Sequence, residues 1–92
     1  MRLKTYSGEA SDSSYPPVPL DQYPCGPAAR VFSVVGGHGM LLRLAQRGIR
    51  EGAVVRRLPH GPRRGPVMVE VNGCRVALGR GIARKVLVVP CP

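Results

Sequence analysis

The sequence predicts an all-β fold: a small, mainly β barrel of five short strands with one short helix. Three observations predict it. Val is the dominant apolar residue while aromatics are only 4%, and β-branched side chains favour the pleated strand over the helix. The 12 Gly and 10 Pro leave no room for long uninterrupted helices. Turn signals also punctuate the chain regularly, the strongest being Asn72-Gly73, which suits a two-residue hairpin with positive φ at both positions.

Residues 1–18 are polar, Ser-rich and end in the run Pro16-Pro17-Val18-Pro19, so they are expected to form a disordered tail ahead of one domain spanning 19–92. Pro24-Cys25-Gly26-Pro27 reads as a turn, followed by a strand over 29–35 that Gly36-Gly37-His38-Gly39 breaks. Residues 40–47 read as a two-turn helix: Leu41, Leu44 and Ala45 share its inner face, and Gly48 stands where a left-handed cap is wanted. A second strand follows over 53–58, then a Pro- and Gly-rich loop over 59–66. Val67, Val69 and Val71 alternate with Met68 and Glu70 as a half-buried strand, and after the Asn72-Gly73 turn Cys74, Val76 and Leu78 return on one face. Residues 79–85 suggest a short turn or 3₁₀ segment, and 86–89 a last strand.

Strands this short present exposed edges, which closure into a barrel removes. SH3-like and OB-like barrels both fit, and the late hairpin with a single turn before the last strand favours the SH3-like form. Only about 60–65% of the unfolded surface is buried at this chain length. The core is therefore thin, and must be built from Val, Leu, Ile and Ala.

Several function classes are excluded by what the chain lacks. No apolar run reaches the ~20 residues a membrane-spanning helix needs, and residues 1–25 hold no signal-peptide core, which places the chain in a cytoplasm. Cys25, Cys74 and Cys91 are odd in number and far apart, so reduced thiols are expected, Cys74 as a small strand hydrophobe. Those cysteines with His38 and His60 show no paired ligand spacing, so neither a metal nor another cofactor is expected. Five acidic residues, with no Ser, His and Asp in a recognisable arrangement, argue against an enzyme. Gly37-x-Gly39 before the helix lacks a phosphate cradle's third glycine, because Leu42 stands there; it reads as a turn from strand into helix.

Charge points instead to binding. Arg2 and Lys4 against Glu9, Asp12 and Asp21 leave residues 1–25 at −1, whereas residues 26–92 carry +10. A domain that basic is drawn to acidic partners. Arg43, Arg47 and Arg50 recur along the helix at spacings of four and three, with Arg56-Arg57 and Arg63-Arg64 nearby. Nucleic acid is the rival to an acidic protein, but Phe32, Tyr6, Tyr15 and Tyr23 do not interleave with the basic runs for base stacking. A step of 100° per residue turns Leu42 away from the barrel. The partner surface is accordingly expected at Met40, Leu42, Arg43 and Arg47, an apolar centre with a charged rim.

These residues also carry a resemblance. The segment from Arg43-Leu44 through Gly48-Ile49 to Gly52 resembles the Arg-Leu-x-x-Leu-Gly-Ile-x-Pro-Gly stretch of the FeoA family, accessory proteins of bacterial ferrous iron transport. Gly65-Pro66-Val67, Val69, Val71, Gly73, Val76-Ala77-Leu78 and Ile82-Ala83 are similar to that family's ending, and Leu20 and Gly26 to its start. The likeness covers 70 of 92 residues, with Arg47 and Glu51 standing where the family usually carries Leu and Pro. It implies an SH3-like barrel in the cytoplasm that associates with FeoB, the membrane ferrous iron transporter with a cytoplasmic G domain. The same unit occurs as a regulatory domain of metal-dependent repressors, which leaves that role and nucleic-acid binding as alternatives.

Overall fold

The structure, a computed structural model, describes residues 15–59 and 65–91. In chain order the elements are β1 (Val18–Pro19), a 3₁₀ turn (Leu20–Gln22), β2 (Ala28–Val34), α1 (His38–Gln46), β3 (Val54–Leu58), β4 (Val67–Val71), β5 (Cys74–Leu78), α2 (Arg80–Ala83) and β6 (Val86–Pro90). The strands form one antiparallel sheet in the order β1-β6-β2-β3-β4-β5. The mainly β class with one short helix is as expected; the described residues hold six strands rather than five, and α2 is a single helical turn.

The additional strand is β1, whose Val18 pairs with Val88 and whose Pro19 pairs with Leu87. A run of prolines held extended can lie along a sheet edge because it donates few ladder bonds there. Val18 was expected in the tail; it joins the sheet and packs against the core. The tail before residue 15 and the loop residues 60–64 lie outside the described residues.

Alternation sets which side chains are inside. Val67, Val69 and Val71 of β4 are buried, as are Val86 and Val88 of β6, Ala29 and Val31 of β2 and Val55 of β3. They form one cluster with Leu20, Leu44, Ile49, Leu78 and Ala83, so every strand contributes to a single interior. The sheet therefore curls around its core, although its terminal strands β1 and β5 share no register with each other. Tyr23 is the one aromatic in this core; its hydroxyl donates to the carbonyl of Ala28 at 3.0 Å. Between Val31 and Ser33 the β2–β6 register shifts, and the extra residue, Phe32, turns outward at 54% exposure.

The predicted hairpin is present. Val71 faces Cys74 across Asn72 (φ 53°) and Gly73 (φ 80°), the signs a type I′ turn requires. Cys74, Val76 and Leu78 share a face, but burial rises along β5: Cys74 is exposed, Val76 half-buried and Leu78 buried. Cys74 is thus not the packed hydrophobe expected, because the strand starts beyond the core at the tip of the hairpin.

Candidate functional site

Helix α1 is suspended between the neighbouring strands β2 and β3. On entry, the Val35 amide donates to the Lys85 carbonyl at 2.9 Å, and Gly37 serves as N-cap, so the helix begins at His38 rather than Met40. On exit, the Gly48 amide donates to the Ala45 carbonyl at 2.9 Å and the Ile49 amide to the Leu44 carbonyl at 2.9 Å. This is a Schellman cap, with Gly48 in the left-handed region at φ 89° and the Leu44–Ile49 apolar contact that accompanies it. The Gly52 amide then donates to the Val31 carbonyl at 2.8 Å and leads into β3.

The cap fixes the helix rotation and so the faces of the site. Leu44, 4% exposed, is the buried anchor, and Met40 one turn earlier is half-buried against the core. Met40, Arg43, Leu44 and Arg47 line a cleft of about 150 Å³ whose other wall is Ala77, Leu78, Gly79 and Ile82, from the end of β5 and α2. Arg47 also borders a shallower depression of about 460 Å³ between the end of α1 and the β4–β5 hairpin. Of the four expected partner-surface residues, the structure brings Met40, Arg43 and Arg47 together in the cleft. Leu42 points elsewhere and is 52% exposed. Leu41, expected against the barrel, is 37% exposed and borders a separate depression with Val34, Ala45 and Ile49. One residue step of 100° from Met40 carries it to the rim of the buried face.

The arginines differ in what each guanidinium reaches. Arg57 donates through Nη1 to the carbonyls of Asp21 and Tyr23, both at 2.9 Å, and Arg56 donates to the carbonyl of Gly26. Arg57, half-buried, clamps the segment after β1 onto β3, and Arg56, itself exposed, adds a bond at the end of that segment. Arg84 lies 3.8 Å from the Asp21 carboxylate, a loose pair on an exposed arm. Arg43, Arg47, Arg50 and Arg75 are exposed, with no carboxylate at ion-pair distance among the described residues. No acidic residue lines the cleft or the adjoining depression.

Among the described residues no three His, Cys, Asp or Glu side chains gather, and Cys25, Cys74 and Cys91 are free thiols. His38 is exposed at the start of α1; His60, Arg63 and Arg64 lie outside the described residues. Burial pushes the Tyr23 phenol above its ordinary value, with the neighbouring Cys91 adding to the effect. Sequence reasoning missed the Arg57 clamp and the free edge of β5. Neither leaves a local signal, since each depends on which segments the topology brings side by side.

Residues 18–90 match the FeoA domain family. The chain belongs to the FeoA family. Among solved structures it resembles a crystal structure described as iron uptake regulatory protein (FeoA), at 33% identity and a TM-score of 0.73, covering 82% of this chain and 99% of the other. The FeoA protein from Chlorobium tepidum, solved in solution, is 27% identical with a TM-score of 0.74, over 82% of this chain and 71% of that one. A manganese-dependent transcriptional repressor in complex with manganese is 25% identical with a TM-score of 0.73; the match covers 84% of this chain but 38% of the repressor. No curated protein matches the chain. The FeoA domain is linked to ferrous iron transport and is a small accessory domain, not a known enzyme family. None of the described helices of this FeoA-family domain is long and apolar enough to cross a membrane.

Proposed function

We propose that this chain is a cytoplasmic accessory protein of bacterial ferrous iron uptake that binds the cytoplasmic side of the membrane Fe(II) transporter FeoB through α1. The observation that carries the reading is the composition of that helix's free surface. Leu42 is 52% exposed beside Arg43, and Arg43 and Arg47 have no carboxylate partner among the described residues. An exposed leucine supplies contact lifetime, while unneutralised arginines hasten encounter with an acidic surface. Membership of the FeoA family supplies the transport context.

The test is sedimentation with membranes containing FeoB. Leu42→Asp should remain folded and lose binding, and Arg43→Ala with Arg47→Ala should weaken binding most at low salt. Normal binding by Leu42→Asp would refute this surface. Nucleic-acid binding with a steep salt dependence, and no retention by the membranes, would replace the reading with its rival.

A further inference from the structure

The arrangement of β5 and α1 points to a mode of recognition: we infer that the domain captures an extended acidic segment of its partner as an added strand on the free edge of β5, beside α1. β5 is a terminal strand of the sheet. In an antiparallel pair closed by a two-residue turn, Val71 and Cys74 exchange hydrogen bonds, as do Val69–Val76 and Val67–Leu78. The amide and carbonyl of Arg75 and of Ala77 therefore point away from β4. No described backbone group bonds to them, and both residues are exposed. Such an edge is a template for another chain.

What lies beside the edge selects the occupant. The cleft under Met40 and Leu44 and the depression at the hairpin meet at Arg47, so together they follow β5 along its length. Five strand residues span roughly 17 Å. Side chains of an added strand alternate, so one set enters the apolar cleft while the other stays at the surface. Arg43 and Arg47 line that track, Arg50 borders its hairpin end, and no acidic residue lines it, whereas Arg75 stands across from Glu70 of β4. A second copy of this chain would bring its own Arg43 and Arg47 to a track already lined by these arginines, and such like charges disfavour edge-to-edge pairing. An extended segment with alternating apolar and acidic residues satisfies both the cleft and the rim. This deepens the partner reading above, but its test does not use the transporter, so either can fail alone.

The experiment titrates the ¹⁵N-labelled protein with an acetylated, amidated Glu-Val-Glu-Val-Glu-Val-Glu peptide, and with its Lys-Val counterpart as control. The acidic peptide should shift the Arg75 and Ala77 amides and slow their hydrogen exchange at least about tenfold, as expected when an open amide gains a hydrogen bond. The basic peptide should do neither. Ala77→Pro removes only an outward-pointing amide, which an edge strand tolerates, and should weaken binding roughly tenfold. If Ala77→Pro does not fold, the exchange data on the wild type still decide. The inference is overturned if the acidic peptide leaves both amides unprotected. It is equally overturned if both are protected in the free protein through self-association, or if a short oligothymidylate protects them and the peptide does not.

Discussion

Changing Gly48 to Ala tests how the site is held. Gly48 has φ 89°, beyond the left-handed basin that other residues enter, and a Cβ there would sit 3.0 Å from Val71 Cγ1 and 3.0 Å from Asn72 Nδ2. The backbone term for a non-glycine residue in the left-handed region is about 1–2 kcal/mol. The crowding adds roughly 1 kcal/mol, since Val71 is buried in β4 and has little room to retreat. The expected loss is therefore about 2–3 kcal/mol. That is a large share of the roughly 5–10 kcal/mol that holds a domain of this size, and equals a fall in Tm of about 10–20 °C.

The assay is urea and thermal unfolding followed by circular dichroism, with Gly39→Ala as the control. Gly39 lies in the first turn of α1 with nothing within 4 Å of its virtual Cβ, so alanine there should be neutral or stabilise by about 0.5–1 kcal/mol through helix propensity. If Gly48→Ala unfolds within about 0.5 kcal/mol of the wild type, the Schellman cap does not set the helix rotation and the assigned faces of α1 fall with it.

The remaining predictions concern the core, the clamp and the alkaline limit. Leu44→Ala should cost about 2–4 kcal/mol because the side chain is buried, whereas half-buried Val76→Ala should cost no more than about 1 kcal/mol; equal losses in urea unfolding would contradict the half-buried position of Val76. Arg57→Ala removes two bonds from a guanidinium to carbonyls, so a loss of about 1.5–3 kcal/mol is expected, with faster hydrogen exchange at the Tyr23 amide, which donates to the Leu20 carbonyl. Unchanged exchange there would refute the clamp. The raised Tyr23 phenol favours the protonated folded state, so its contribution is complete below the ordinary value of 10.0 and is lost as pH rises through the folded value. Tyr23→Phe should lose about 1 kcal/mol at neutral pH with the bond to Ala28, yet unfold less steeply with rising alkalinity; an unaltered alkaline slope would refute the assignment.

The fold was legible wherever the pattern is local. The alternation of Val67, Val69 and Val71, the Asn72-Gly73 turn and the Gly48 cap each follow from the conformations that neighbouring residues permit, and each stands where the sequence puts it. Failures came where tertiary contacts decide. Periodicity gives a helix face to within one step, so Leu41 and Met40 exchanged places between rim and core once the cap fixed the rotation. Val18 reads as part of a proline-rich linker because its strand partner, Val88, lies seventy residues away in sequence and cannot be seen locally.

The candidate site was legible in composition but not in arrangement. A run of arginines in sequence carries no statement of which are free, and net charge treats them alike. The structure separates them by what each guanidinium reaches: Arg56 and Arg57 are used up on carbonyls of the 21–26 segment, while Arg43, Arg47, Arg50 and Arg75 keep their charge open to solvent. The divide follows the topology. The clamped pair sits on β3, inside the sheet order, where the segment after β1 crosses it; three of the open four cluster along α1 and its exit, and the fourth lies on the terminal strand β5. A folded chain neutralises or bonds its cations where its own segments converge. Arg43, Arg47 and Arg50 are left without such partners beside β5, a terminal strand whose outward amides are also unpaired, and an acidic extended chain supplies what both lack.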